Sequence, residues 1–148
     1  MHGLTTRRFV GEMMGILPSL IRGTLRQHAD AITSGHITVP QFLVLEAVEN
    51  RGPLKMSVLA EELRVSMPAA TGLVDRLHAL RVVERQYDPD DRRLILIAIT
   101  PKGRRMVRTL RSKRARMIGS IFGRLTSQER ADYIKILKRV QHVVYSHS

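Results

Sequence analysis

Apolar residues recur at helical spacing over residues 8–32, where Phe9, Val10, Met13, Met14, Leu17, Leu20, Ile21, Leu25 and Ile32 form a stripe. Gly15 and Pro18 fall inside this run; Pro18 lacks a donor and crowds the carbonyl of Met14, so a weakened or kinked helix is expected. After a loop at Thr33–Ile37, Thr38 is placed to cap a second helix, with Pro40 in its first turn and Phe42, Leu43, Leu45 and Val48 as its buried face. Gly52-Pro53 ends it. Residues 57–64 read as a short helix. Ser66 then offers an N-cap for a longer one over 67–80, whose apolar positions Ala70, Leu73, Val74, Leu77 and Leu80 stand at offsets 0, 3, 4, 7 and 10. Two helices joined by so short a turn make a helix-turn-helix candidate. The period then changes. Val82–Tyr87 and Arg93–Ile99 read as strands around the turn-forming Asp88-Pro89-Asp90-Asp91-Arg92, a hairpin with a charged tip.

Thr100-Pro101 supplies a cap followed by proline at the first helical position. The helix from 101 carries Met106, Val107, Leu110, Ile118, Ile121, Phe122 and Leu125, with its apolar stripe interrupted at Lys113-Arg114. Thr126-Ser127-Gln128-Glu129 is a capping box that opens a last helix, with Tyr133, Ile134, Ile136, Leu137, Val140, Val143 and Val144 expected to be buried. The terminal helices are too apolar to stand alone. Their stripes are expected to bury one another, within the chain and against a second copy, which predicts a homodimer; a single-chain bundle is the alternative.

Composition narrows the partner. The 148 residues hold 25 bases against 13 acids, a net charge of +12. This length suits one domain, or a small domain with a helical arm. From Arg92 to Gln128 there are eleven bases and no acid, while the rest of the chain is nearly balanced. Such a field attracts nucleic acid first and anionic membrane second, the alternative being a solubilising face. Within this stretch Arg104–Arg108 is an i,i+4 like-charge pair, and Arg108–Arg111 and Arg111–Arg114 are i,i+3 pairs. Each costs roughly 0.2–0.5 kcal/mol in an isolated helix, so an anionic partner is expected. Candidates are DNA for Lys102, Arg104 and Arg105, and an acidic ligand, or Glu12 and Asp30 of the first helix, for residues 111–116; Arg108–Arg124 otherwise lacks an assigned role.

No cysteine is present, which excludes disulfides, thiolate zinc sites and thiol redox sensing. The longest apolar run, Leu94–Ile99, is far short of a membrane span, and no apolar signal core opens the chain, so a cytoplasmic protein is expected. His2, His28, His36, His78, His142 and His147 include no i,i+4 pair, and neither a metal nor another cofactor is expected. No glycine-rich phosphate loop, nucleophile triad order or paired-carboxylate motif suggests an enzyme.

Thr38 to Gly103 resembles the MarR family of winged helix-turn-helix transcription regulators. Ile37-Thr38-Val39-Pro40-Gln41-Phe42-Leu43-Val44-Leu45 is similar to the family's second helix, and Ser57-Val58-Leu59-Ala60-Glu61-Glu62-Leu63 to the first helix of its reading motif. Val65-Ser66 through Leu73-Val74-Asp75-Arg76-Leu77 is similar to its recognition helix, Asp91-Arg92-Arg93 to its wing signature, and Thr100-Pro101-Lys102-Gly103 to its closing Thr-x-x-Gly. His78, Arg81, Val82 and Lys55 depart from the usual pattern. Arg81 stands where glycine is usual, at a cost of about 1 kcal/mol if the backbone there is left-handed. The resemblance implies a mainly α fold with a small β-hairpin wing: a winged helix-turn-helix core over 38–100, with dimerisation helices from 1–37 and 101–148. It further implies a dimer on a palindromic operator, usually a repressor, relieved by a small, often aromatic, anionic ligand bound between the DNA-binding lobe and the dimer helices. His36 is a candidate for that pocket.

The expected DNA-contacting residues follow. On helix 67–80 the apolar stripe leaves Met67, Pro68, Ala69, Thr71, Gly72, Asp75 and Arg76 outward. Thr71 can exchange hydrogen bonds with base edges, and Met67 and Ala69 can touch a thymine methyl, but the first turn holds no arginine for a bidentate guanine contact. Direct readout is therefore expected to be modest, with phosphates and DNA shape supplying affinity. Ser66 is a phosphate donor or a helix cap, or both. Arg76 reaches a phosphate or pairs with Asp75 or Glu62. By the resemblance Arg93 is the minor-groove arginine; Asp91 would hold it or a neighbour by a charge-assisted bond, and Arg92 would take a phosphate. Lys102 and Arg104 complete the set. The rival readings are a non-specific, nucleoid-type architectural DNA-binding protein and, less consistent with the interrupted stripe of 101–124, a membrane-surface protein.

Overall fold

The structure, a computed structural model, describes residues 4–32 and 37–146, and for residues 21 and 24–32 the backbone alone. Its order is α1 (Thr6–Ile32), α2 (Val39–Arg51), β1 (Leu54–Lys55), α3 (Met56–Glu62), α4 (Met67–Ala79), β2 (Val83–Tyr87), β3 (Ile95–Ile99), α5 (Pro101–Phe122) and α6 (Ser127–Ser146). The chain divides into two compact units, Met1–Ser112 and Lys113–Ser148. The division falls inside α5, where the sequence pattern puts its boundary at Pro101.

The core of the first unit is built around α2. The helix starts where Thr38 Oγ1 accepts from the amide of Gln41 while the Gln41 side chain accepts from the amide of Thr38, a reciprocal cap with proline in the following turn. Phe42, Val44, Leu45, Ala47 and Val48 are buried, against Leu59 of α3, Val74 and Leu77 of α4, Val82, Val83, Ile97 and Ile99 of the hairpin, and Val107 of α5. Leu43, expected inside, is 44% exposed, and Val44 is fully buried in its place. Packing of α2 against both α4 and β3 widens its buried arc and leaves Val39, Leu43, Glu46 and Asn50 as the outward stripe.

The sheet has the order β1-β3-β2, antiparallel throughout. The two-residue β1, not anticipated from the sequence, pairs Leu54 with Ile97 and Lys55 with Leu96. The second hairpin strand begins at Ile95, because Arg92 and Arg93 belong to the turn: Leu94 donates to the carbonyl of Asp91 at 2.9 Å and Asp88 to that of Leu94 at 2.9 Å.

The turn from α4 into β2 is fastened at three successive carbonyls. Lys102 Nζ donates to Leu80 O at 2.8 Å, Thr100 Oγ1 to Arg81 O at 2.8 Å, and the Thr100 amide to Val82 O at 3.1 Å. Thr100 Oγ1 also accepts from the Gly103 amide at 3.1 Å, capping α5. Gly103 lies against this turn so closely that an added Cβ would sit 2.1 Å from Val82 O and 2.7 Å from the Ile99 side chain. Only glycine fits there, which explains the Thr-x-x-Gly spacing.

α1 runs through Pro18 without a break in the helix. Its stripe is not buried: Phe9, Val10, Met13, Met14, Leu17 and Leu20 are exposed. Nor is any residue of α6 buried, including Tyr133, Ile134, Ile136, Leu137, Val140, Val143 and Val144. Within its own unit each stripe is thus open, and the burial expected of α6 is not made inside Lys113–Ser148. In the second unit, the rings of Phe122 and Tyr133 meet at 5.1 Å between centroids, and Arg130 donates to the carbonyls of Phe122 and Leu125. The amide and hydroxyl of Thr126 donate to Glu129 and the Glu129 amide returns to Thr126 Oγ1, the anticipated capping box. Those bonds hold the Glu129 carboxyl below its ordinary pKa. No described helix is long and apolar enough to cross a membrane.

Two stability outcomes are expected. Arg81 has φ 59°, the left-handed conformation that its place in the pattern requires. Arg81→Gly should therefore stabilise the fold by about 1 kcal/mol, read as a rise of about 2–4 °C in Tm by calorimetry. Gly103→Ala should lower stability by about 1–3 kcal/mol or more, because backbone rather than a flexible side chain must give way.

Candidate nucleic-acid interface

α3 and α4 are joined by a tight turn in which Arg64 takes φ 52° and the Val65 amide returns to Ala60 O at 3.0 Å. Ser66 is the N-cap of α4, its Oγ accepting from the Ala69 amide at 3.3 Å. This places the cap reading of Ser66 in the fold; its Oγ–H remains a donor. Burial of Ala70, Val74 and Leu77 turns Met67, Pro68, Ala69, Gly72 and Arg76 to the outside, with Thr71 half-buried. Thr71 Oγ1 donates to Met67 O at 2.9 Å, so towards a base it acts as an acceptor. Nothing lies within 4 Å of a Cβ added at Gly72, and Met67 is 47% exposed. The outer surface of α4 is thus short, smooth and largely apolar.

The two acids offered as partners for Arg76 pair elsewhere. Asp75 pairs with Arg85 on β2 at 2.5 Å, and Glu62 pairs with Arg51 on α2 at 2.5 Å. Among the described residues none pairs with Arg76, which stays exposed and cationic. The Asp75–Arg85 bond ties the hairpin to α4. It was not legible in the sequence, because the partner is selected by the strand register that sets Arg85 opposite Ile97.

At the hairpin tip, Asp88 Oδ1 accepts from the amides of Asp90 and Asp91 at 2.8 and 3.2 Å, an Asx-type turn. Asp91 accepts from Arg93 three times: from its amide at 3.0 Å, from Nε at 3.0 Å, and through Oδ2 from the terminal guanidinium nitrogen at 3.2 Å. The side chain of Arg93 is nonetheless 90% exposed. Asp91 therefore holds Arg93 in one direction without covering it. Those bonds, with the guanidinium contribution larger than the amide's, lower the Asp91 pKa; Lys55 adds a smaller pull in the same sense against a desolvation effect that raises it. Arg92 lies beside Tyr87, Asp88 and Pro89 around a surface hollow.

Lys102 and Arg104 have partners within the fold: Lys102 on Leu80 O, and Arg104 on Glu49 of α2 at 3.4 Å. Arg111, on the same helix, meets Glu46 at 3.0 Å and Asn50 at 2.9 Å. The acids that relieve this part of the basic helix are therefore on α2. Of the candidates on the first helix, Glu12 is engaged by Arg8, and the side chain of Asp30 lies outside the described residues, as does His36.

A family model described as "MarR family" matches residues 37–94, the span from the start of α2 to the hairpin tip. The HTH-type transcriptional regulator YsmB of Bacillus subtilis is 32% identical over 141 residues, covering 95% of this chain and 92% of that protein. The chain belongs to the MarR family. A MarR family protein from Bacillus stearothermophilus has the same fold, with a TM-score of 0.83, 22% identity, and coverage of 95% of this chain and 99% of that one. So does Bordetella bronchiseptica BpsR, whose DNA binding is regulated by 6-hydroxynicotinic acid; it has a TM-score of 0.69, 24% identity, and coverage of 86% and 91%. This MarR-family chain is accordingly a DNA-binding helix-turn-helix transcriptional regulator and not an enzyme.

Arg93→Ala in this MarR-family chain should weaken operator binding by about 1–3 kcal/mol, measured by gel-shift titration, and leave folding unchanged. The depressed pKa of Asp91 sets the pH window of the tip. The carboxylate's contribution is present above its ordinary value of 3.8 and is lost only as pH falls through the lower folded value. Carboxyl NMR should therefore find Asp91 ionised throughout about pH 5–8.

Proposed function

We propose that this chain is a cytoplasmic, homodimeric repressor that binds a palindromic operator sequence-specifically and is released by a small aromatic acid. The observation that carries the reading is the hairpin tip, where an exposed Arg93 is oriented by Asp91 next to a helix-turn-helix. In this reading Ser66, Met67, Pro68, Ala69, Thr71, Gly72 and Arg76 face the major groove, Asp91, Arg92 and Arg93 serve the minor groove and its phosphates, and Lys102 and Arg104 contribute field rather than contacts. The two recognition helices of a dimer enter successive major grooves about 34 Å apart. The exposed stripes of α1 and α6 support the dimer, because apolar faces of that extent mark an interaction surface. Residues 1–37 and 101–148 then form the dimerisation region around the winged lobe 38–100.

Two features support an aromatic acid as effector. Val39 and Leu43 continue, on the outward stripe of α2, the line of Glu46 and Asn50 that Arg111 meets, so apolar surface and guanidinium share one side of the lobe. BpsR, with the same fold, responds to a hydroxylated aromatic acid.

The architectural alternative is favoured by one observation: the first turns of α4 lack the long donors that usually read bases, Arg76 standing further along the helix. Titrating the upstream region of its own gene against random DNA across salt separates the two. Sequence-specific regulation predicts a discrete footprint and, for about 8–10 phosphates neutralised per dimer, a log–log salt slope of about −7 to −9. Equal affinity for both DNAs favours the architectural protein. Leu137→Glu with Val140→Glu should abolish the dimer in analytical ultracentrifugation and reduce operator affinity by at least about tenfold, because two half-sites no longer bind together.

A further inference from the structure

The two units share the net charge of +12 equally, although the second has only the last 36 residues. Lys113–Ser148 contains eight bases and two acids, and it carries neither the recognition helix nor the hairpin. On α6, Lys135, Lys138, Arg139 and His142 stand at offsets 0, 3, 4 and 7 and occupy one arc of roughly 100°. All four are exposed, and among the described residues no side chain pairs with theirs, His142 being met only at its backbone carbonyl by Ser146 Oγ. Both acids of the unit are in the first turns of α6, with Glu129 held by Thr126 and Asp132 accepting from Gln128. Glu129 and Asp132, both N-terminal to the stripe, are the acids on its helix.

We infer that this stripe is a second DNA-binding surface, through which a dimer seated on one duplex holds the backbone of another. The stripe is centred opposite Tyr133, Leu137, Val140 and Val144 on the helix. When a second copy covers that apolar face, as in the dimer proposed above, the stripe points away from the interface. Three permanent cations over about 6 Å of helix, at 1.5 Å per residue, match a duplex that carries one charge per ~1.7 Å of its axis. The stripe contains no Phe, Tyr or Trp, and its one ring is the imidazole of His142, so it offers cations for a backbone rather than a run of stacking platforms, which favours duplex over single strands. With its apolar arc covered, α6 has little left to insert into a bilayer.

The test is a bridging assay on the full-length dimer. A tethered duplex is saturated with protein, and capture of a second, labelled random duplex is measured. Wild type captures it. Lys135→Gln, Lys138→Gln and Arg139→Gln together reduce capture by about tenfold or more at moderate salt, with operator affinity on a single duplex within about twofold of wild type and the dimer mass retained. Failure of wild type to capture a second duplex overturns the inference. So does undiminished capture by the triple variant, which would assign bridging to the winged lobes, or a preference of the stripe for anionic phosphatidylserine vesicles over duplex. Because the second duplex is random, loss of operator preference would count against the proposed repressor without touching this result.

Discussion

The close approach of α5 to the turn between α4 and β2 is the constraint on which the rest depends. Three successive carbonyls, of Leu80, Arg81 and Val82, are satisfied from Thr100 and Lys102, and Gly103 leaves no room between the helix and Val82 O. Buried or half-buried backbone acceptors must find donors, and here they find them on the next helix rather than in water. The C-terminal end of the recognition helix and the first turn of α5 therefore move together. Arg81 is drawn into a left-handed conformation to keep this join, and the chain accepts a non-glycine residue there at some cost in stability.

The join also determines which charges meet. Once α5 leaves the lobe at this angle, Val107 is buried and Arg104 and Arg111 fall opposite Glu49 and Glu46. These pairs are partly exposed, so each adds modest energy. Their effect is to offset the repulsion among Arg104, Arg108 and Arg111 that an isolated helix would suffer. Arg85 performs a parallel service for the hairpin by pairing with Asp75. The lobe is thus braced by charge on two sides while Arg76, Arg92 and Arg93 remain available to solvent.

Legibility followed locality. The caps at Thr38, Ser66, Thr100 and Thr126 involve residues three positions apart, so the sequence shows both partners, and all four form. The Asp91–Arg93 bond is equally local. What escaped were features decided by packing. Leu43 and Val44 exchange places because α2 is covered from two directions. β1 exists only because β3 offers Leu54 and Lys55 an edge. Arg111 meets Glu46, sixty-five positions away, whereas the run of like charges along its helix points only to some anionic partner, an acidic ligand or Glu12 and Asp30 of the first helix. The stripes of α1 and α6 are apolar, as their periodicity indicates, and each is exposed within its own unit.

The open space around Gly72, and the exposed Met67, Pro68 and Ala69, have a consequence for how the helix can vary. A core residue such as Val74 or Leu77 cannot change without disturbing its neighbours, whereas a Cβ added at Gly72 meets nothing within 4 Å. If the outward residues read DNA as proposed, fold and target preference lie on opposite sides of one helix. In that reading a substitution on the outward side changes what the helix meets in the groove while leaving the packed side of Ala70, Val74 and Leu77 as it is.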